Sequence, residues 1–178
     1  MQQRLKHINS MRQAVRTTLA QAGLTEVVTP VSTLTPGGET HLDAVPVELQ
    51  PFGRHKQVLY LRTSPEVWHK KLLAQGSGPI FEIAPCVRDG EGGTWHDLEF
   101  EMVEWYRPHG HFDDLISDVE ALLECTYTLN NKTRPATTRT TVQELFERHV
   151  GGRLDPSLPL TLFKNTLNNC DIACADDD

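Results

Sequence analysis

The sequence predicts an α+β fold in which helices flank an antiparallel sheet, all within one domain of 178 residues. Two extended runs, residues 79–88 and 98–107, enclose a long polar loop, which is typical of two paired antiparallel strands. Amphipathic helical patterns occupy residues 4–22 and 112–130, on either side of these strands.

The first predicted helix spans residues 4–22 and ends before Gly23, a residue that often terminates helices. Its apolar residues recur at spacings of three and four, and they are Ile8, Met11, Val15 and Leu19. A short strand is predicted next, ending at Pro30. Residues 32–46 are rich in Thr, Pro and Gly and predict a loop.

Two further strands are predicted on either side of the polar turn at residues 53–56. The segment 64–76 then has the composition of a helix. Ser64 is suited to its N-cap, Pro65 to its first turn, and Glu66 to the positive end of its dipole.

The helix over residues 112–130 has a predicted apolar side formed by Leu115, Ile116, Val119, Leu122 and Leu123. A last helix over residues 141–150 is predicted to end at Gly151. Cys170 and Cys174 lie close together near the end of the chain, but no second pair of ligands accompanies them. We therefore predict no metal site in the chain.

Charge and composition exclude several classes of function. The formal net charge of −7 argues against a general nucleic-acid-coating surface, which would need a basic excess. No apolar run approaches the length of a membrane span, and the N-terminus lacks the apolar core of a signal peptide. Four scattered cysteines fit reduced thiols, so we expect a cytoplasmic location and no membrane partner.

The central strands carry the residues best suited to chemistry. On the second strand, alternation places on one face Phe100, Met102, Glu104 and Tyr106; on the first, it groups Glu82, Ala84, Cys86 and Arg88. If these faces coincide, Arg88 can grip a phosphate and Phe100 can stack on a base. Glu104 and Tyr106 can hold an ammonium group. The surface would then suit an anionic nucleotide beside a cationic amino acid.

Two other interpretations stay open from the residues alone. Phe100 and Met102 could belong to the core, with Arg88 and Glu104 forming a structural ion pair. Alternatively, three histidines could contribute to a metal site in an unrelated β-rich protein, and they are His96, His109 and His111.

Several separated motifs resemble those of class II aminoacyl-tRNA synthetases of the lysyl type. The run from residue 88 to 106 resembles motif 2, and GLTEVVTP at residues 23–30 resembles motif 1. TSPE, LLAQGSGPIF and EWYRP resemble more narrowly the short lysyl-tRNA synthetase paralogues of the elongation factor P–(R)-β-lysine ligase family. The resemblance extends over about residues 4–150.

This resemblance implies that residues 1–178 form a partial class II catalytic domain. Motif 1 would lie near 23–30 and motif 2 near 86–106, whereas we find no motif 3, so we expect a sheet incomplete at its C-terminal end. We also expect no anticodon-binding domain, because the sequence begins at the helix that leads into motif 1.

The resemblance also implies roles for matched residues. Ser64, Pro65 and Glu66 would contact the amino-acid substrate, and Arg88 would bind the α-phosphate of ATP as the catalytic residue. Further residues on the nucleotide side would be Asp89, Gly90, Glu91, Asp97 and Phe100. Glu104 and Tyr106 would bind the side chain of the substrate.

The implied function is ATP-dependent activation of lysine or (R)-β-lysine as an acyl-adenylate, followed by transfer to a lysine of elongation factor P. Mg²⁺ would assist, with ligands expected outside this sequence. A homodimer is expected and a tRNA substrate is not. Because motif 3 is missing, we expect the isolated chain not to complete the reaction. The alternative is a non-catalytic module that binds a nucleotide, an amino acid or a partner protein.

Overall fold

The computed structural model describes residues 1–50, 52–153, 155, 157, 159, 162–164 and 167. The chain divides into two compact units, Met1–Arg134 and Pro135–Asp178. The prediction for Cys170 and Cys174 falls outside the described residues.

The helices and strands of the first unit follow one another in the chain order α1 (Gln2–Gln21), β1 (Thr25–Glu26), β2 (Ser32–Thr33), β3 (Pro46–Leu49), β4 (Gln57–Leu61), α2 (Glu66–Ala74), β5 (Ile80–Val87), β6 (Glu99–Tyr106) and α3 (Phe112–Leu129). The second unit contains α4 (Val142–Val150). This mixture of helices and mainly antiparallel strands confirms the predicted α+β class.

The first sheet has the strand order β1-β5-β6. The predicted antiparallel pair is confirmed, with Ile80 opposite Tyr106 and Val87 opposite Glu99. Strand β1 pairs with β5 in parallel, so the sheet is mixed rather than wholly antiparallel. The strand predicted to end at Pro30 is shorter than expected because the Thr29 amide donates to the Glu82 side chain, at 3.2 Å, instead of continuing the ladder.

The second sheet is antiparallel, with the order β2-β4-β3. The β3–β4 pair confirms the two strands predicted around the turn at 53–56. The loop predicted over residues 32–46 is wrong at both ends, because Ser32 and Thr33 pair with β4 and Pro46 begins β3. A two-residue strand is too short for alternation to identify it from sequence.

The core lies where α1 packs against the first sheet. Leu19, Leu24 and Phe81 are buried there, and partly buried residues around them include Val15, Val103, Trp105 and Leu122. Burying each such side chain contributes about 1.5–3 kcal/mol. Helix α1 ends as predicted, with Gly23 at φ +85°, a conformation that favours glycine. Val103 and Trp105 on β6 thus face the core, and the opposite face of the strand, which carries Glu104, is left for other contacts.

Helix α3 carries the predicted apolar residues, but only part of them pack on the core. Leu122 packs on the core, but Leu115, Val119 and Leu123 are exposed. The helix is oriented by its buried Asp118, which accepts two hydrogen bonds from Arg107, from Nε at 2.6 Å and from Nη2 at 2.8 Å.

The described part of the second unit confirms the last predicted helix. Thr141 and Glu144 form a capping box at the start of α4, and Gly151 at φ +80° ends the helix. Across the described residues of the whole chain, none of the helices is long and apolar enough to cross a membrane.

Candidate functional site

The two central strands present their polar residues on one shared face. Glu82 lies opposite Glu104, and Cys86 lies opposite Phe100. Residues directly opposite each other in an antiparallel pair point to the same side of the sheet. The expected coincidence of the two faces is therefore confirmed, and the face has one end near Glu104 and another at the loop after β5.

Glu82 is the centre of a buried polar network at the first end. Its Oε1 accepts hydrogen bonds from the Thr29 amide at 3.2 Å and from Arg62 Nη2 at 3.0 Å. Its Oε2 accepts from the Thr29 hydroxyl at 2.7 Å and lies 3.0 Å from His69 Nε2. Burial acts to raise the pKa of Glu82, but these bonds and the Arg62 charge outweigh it and hold the pKa below its usual value.

Arg62 supplies the buried positive charge of this network. Its Nη1 donates to the Thr29 hydroxyl at 2.7 Å, and its Nε donates to the Pro85 carbonyl at 2.9 Å. The side chains of Arg62 and Glu82 are only 1% and 3% exposed. Such deeply buried charges persist only when they are paired and hydrogen-bonded, so Arg62 joins the segment after β4 firmly to β5.

Glu104 and Tyr106 form the next layer of the face. The Tyr106 hydroxyl donates to Glu104 Oε1 at 2.6 Å, and His69 Nδ1 lies 3.6 Å from the same oxygen. Burial opposes ionisation of Glu104, but His69 and Tyr106 hold its pKa below the usual value. Burial and Glu104 together raise the pKa of Tyr106, so its phenol stays protonated. The pair therefore presents an ionised Glu104 carboxylate, one oxygen of which already accepts a hydrogen bond from the Tyr106 hydroxyl.

The TSPE segment forms the start of α2 beside this layer. Pro65, not Ser64, is the N-cap, and the Ser64 hydroxyl accepts from the Glu66 amide at 3.3 Å. This places the cap one residue later than predicted, because the Pro65 carbonyl accepts the first helical hydrogen bond, from the His69 amide at 3.1 Å. Glu66 forms an ion pair with Lys70.

A cavity borders this start of α2. Ser64 and Glu66 line it on one side, and residues of the loop at 33–39 line it on the other. Glu66 is also close enough to Tyr106 to raise its pKa through the carboxylate charge. The predicted substrate residues Ser64, Glu66, Glu104 and Tyr106 are thus in one region of the structure.

The other end of the face is built around Arg88. Its Nε donates to the Thr63 carbonyl at 3.2 Å, its Nη1 donates to Glu91 Oε1 at 3.1 Å, and its Cζ lies 5.1 Å from the centre of the Phe100 ring. A second cavity is lined here by Arg88, Glu91, Trp95, His96, Asp97 and Phe100. The structure brings together four of the six predicted nucleotide-side residues around this cavity.

The remaining two predicted residues shape the loop. The Asp89 amide donates to the Asp43 carbonyl at 2.8 Å, and the Gly90 amide donates to the Asp89 side chain at 2.9 Å. Gly90 has φ +73°, which favours glycine at this turn. Asp89 is therefore occupied in fixing the loop rather than facing the cavity.

The alternative interpretations have less support from this geometry. Arg88 and Glu104 have separate partners instead of pairing with each other, and Phe100 and Met102 are half-buried rather than core residues. In the described ranges, no group of three or more His, Cys, Asp or Glu side chains is placed to hold a metal ion.

Sequence reasoning missed Thr29, Arg62 and His69. Each contacts Glu82 across 53, 20 and 13 residues of sequence, respectively. Arg62 directly follows the apolar residues of β4, and a charged residue in that position could have indicated a buried ion pair. The partner of such a residue cannot be inferred without the pairing of the two sheets.

The fold and face together define a class of protein: an α+β domain whose antiparallel hairpin carries Arg88 and Phe100 at one end of a shared face and Glu104 and Tyr106 at the other. The family described as tRNA synthetases class II (D, K and N) matches residues 1–160. The chain belongs to this family, as the sequence motifs predict.

Curated relatives give the narrower similarity. The chain is 41% identical over 143 residues to the elongation factor P–(R)-β-lysine ligase of Haemophilus influenzae, covering 80% of this chain and 42% of that protein. It is 36% identical over 166 residues to the ligase of that name from Histophilus somni, covering 92% and 49%. For the one from Photobacterium profundum, the identity is 32% over 175 residues, covering 98% and 53%. The chain spans about half the length of these relatives.

Proposed function

We propose that the chain is part of an ATP-dependent ligase that activates lysine or (R)-β-lysine and transfers it to a lysine of elongation factor P. One observation carries this proposal: Arg88 with Phe100, and Glu104 with Tyr106, occupy opposite ends of one face of the β5–β6 hairpin. The names of the relatives supply the substrates. Residues 1–178 then form part of a class II catalytic domain, with motif 1 near 23–30 and motif 2 near 86–106.

The amino-acid side has two carboxylates for a substrate with two amino groups. Glu104, ionised and held by Tyr106, receives the side-chain ammonium. Glu66, beside Ser64 and Pro65 at the start of α2, receives the other amino group and exchanges its present ion pair with Lys70 for it.

The nucleotide side places adenine against Phe100 and the α-phosphate against Arg88. A carboxylate oxygen of the amino acid attacks the α-phosphorus, and pyrophosphate leaves, giving an acyl-adenylate. Arg88 stabilises the charge that develops on the phosphoryl oxygens. The neutral amine of the acceptor lysine then attacks the acyl carbon, AMP leaves, and the amine loses a proton. The protein acts by positioning the two reactants.

Mg²⁺ has no fitting site in the part of the chain that the structure describes, since no suitable group of carboxylates occurs there. We assign no step to it.

The proposal also includes the assembly and the location of the protein. We propose a homodimer in the cytoplasm that does not use tRNA as a substrate. These points are supported by the family resemblance, and light scattering of the purified chain tests the dimer.

Calorimetric titration of ATP into the 178-residue chain tests the nucleotide side. We expect Arg88→Ala to abolish measurable binding. The substitution removes the proposed contact of Arg88 with the α-phosphate, and it also removes the guanidinium that packs on the Phe100 ring. Arg12→Ala is the matched control, since Arg12 is an exposed arginine paired with Glu101. Equal affinity of the Arg88→Ala and wild-type chains would refute the assignment.

Pyrophosphate exchange that depends on lysine or (R)-β-lysine tests activation of the amino acid by this chain. Exchange by the purified chain would support activation and would overturn the expectation that the isolated chain does not complete the reaction. Binding of ATP and lysine without exchange is the result expected of this part of a ligase, and it is also the result expected of the non-catalytic binding module.

A further inference from the structure

His69 is the one fully buried histidine among the described residues, and the proposed reaction gives it no role so far. It projects from α2 between two carboxylates, with Nε2 at 3.0 Å from Glu82 Oε2 and Nδ1 at 3.6 Å from Glu104 Oε1. Nδ1 is also a buried nitrogen with no hydrogen-bond partner in the described structure. The Tyr106 ring meets the imidazole edge to face, with the ring centres 5.5 Å apart.

The partners of the ring determine where its protons lie. An ionised carboxylate can only accept hydrogen bonds, so Nε2 must carry a proton to bond Glu82. At Nδ1, a lone pair would face the negative Glu104 oxygen in a dry site, which is repulsive. A proton at Nδ1 turns the same approach into an attraction. The arrangement therefore favours an imidazolium with both nitrogens protonated.

The surrounding charges agree with this assignment. The described titratable and charged groups in contact with His69 are Glu82 on β5 and Glu104 and Tyr106 on β6, and Arg62 after β4 is paired with Glu82. On α2 itself, the more exposed Glu66 and Lys70 pair with each other. Two carboxylates and one guanidinium leave this buried cluster one positive charge short of neutrality. A charged His69 supplies that charge, and buried ionised groups are stable only when balanced.

We propose that His69 is a positioning residue, a doubly protonated bridge that fixes the Glu104 carboxylate for the side-chain ammonium of the substrate. The bridge itself is a property of the chain without ligand. Its consequence for amine recognition rests on the proposed function. In this arrangement Tyr106 donates a hydrogen bond to Glu104 Oε1 and the His69 charge attracts the same oxygen, so Oε2 is the oxygen that would accept from the substrate.

Nitrogen-15 NMR of the histidine rings tests the bridge without any substrate. At pH 7 we expect both His69 nitrogens to have the chemical shifts of protonated imidazolium, with the signal assigned by its loss in His69→Gln. Glu104→Gln should convert the ring to the neutral form protonated at Nε2. His55→Gln, which removes an exposed histidine, should leave the His69 signals unchanged. A neutral His69 ring in the wild-type chain at pH 7 would overturn the proposal.

Calorimetry with L-lysine and norleucine, which lacks the side-chain amine, tests the consequence. We expect His69→Gln to weaken lysine binding about 10-fold, as for loss of one charge-assisted contact, and to leave norleucine and ATP binding unchanged. Equal weakening of all three ligands would show a merely structural role and refute positioning. If the wild-type chain binds no lysine, the proposed function fails, while the NMR result still decides the bridge.

Discussion

The two ends of the polar face on β5–β6 differ in how far the fold itself organises them. At the Glu82 end, the side chains of Arg62 and Glu82 are 1% and 3% exposed and belong to one connected network. At the Arg88 end, the side chains of Arg88 and Glu91 are 21% and 27% exposed and border an open loop. The Glu82 end is therefore built into the stability of the domain, whereas the Arg88 end is more exposed and can change partners more easily. Substitutions in the buried network at the first end should alter folding most, and those at the second end should mainly alter the proposed nucleotide binding.

The largest expected effect is on stability, from Arg62→Met. Removing the guanidinium leaves Glu82 buried without its main counter-charge, which should lower the free energy of unfolding by about 3–5 kcal/mol. Urea unfolding followed by circular dichroism measures this. Arg12→Met, which breaks the exposed pair with Glu101, should cost less than about 1 kcal/mol. Similar costs for the two variants would mean that burial does not make the Arg62–Glu82 pair more important for stability than an exposed ion pair.

The next effect is on ATP binding, from Phe100→Leu. The substitution keeps an apolar side chain but removes the ring beneath Arg88 that should stack on adenine. We expect ATP affinity to fall by about 1–3 kcal/mol, with little change in unfolding. Phe112→Leu, at an exposed position on α3, is the matched control. A stability loss at Phe100 larger than the binding loss would mean that this end is also part of the packed core.

The sequence predicted the β5–β6 hairpin and its shared face because eight-residue strands show a clear alternation. It could not predict the buried network, because Thr29, Arg62 and Glu82 come from three separate segments of the chain whose meeting depends on sheet pairing. The same limit explains why β2, with two residues, was predicted as loop and why β1, also with two residues, is shorter than the predicted strand. Family resemblance compensated at residues with a proposed contact to a ligand, such as Arg88. It gave no indication of His69, for which we propose a role through another side chain.

A smaller effect concerns acid stability and Glu104. Its pKa in the folded chain is lowered, so the stability it contributes is fully present above the ordinary carboxyl value of about 4.3 and is lost as pH falls through the folded value. Glu104→Gln should cost about 1 kcal/mol at pH 7 and reduce the loss of stability on acidification.

Unfolding in urea at a series of pH values between neutral and strongly acidic measures this dependence. Glu48→Gln, at an exposed ion pair with Lys56, should leave the wild-type pH dependence in place. If Glu104→Gln lost stability on acidification as steeply as the wild-type chain, Glu104 would not be held in its ionised form by the fold.

The smallest effect tests whether solvent screens the charges at the Arg88 end of the face. Asp97 lines the cavity beside Arg88, where its carboxylate repels a triphosphate. Asp97→Asn should therefore strengthen ATP binding by less than about 1 kcal/mol, the size of a solvated charge interaction at contact distance. Asp97→Glu keeps the charge and should bind ATP as the wild-type chain does.

The same titration at high salt tests the exposure of the cavity. Because the screening length falls to about 3 Å at 1 M salt, the gain from Asp97→Asn should disappear there if the cavity is open to solvent. A gain that persists at such high salt would instead place Asp97 in a site closed to solvent. The Glu82 and Arg88 ends would then differ in the partners of their charged side chains and not in exposure to solvent.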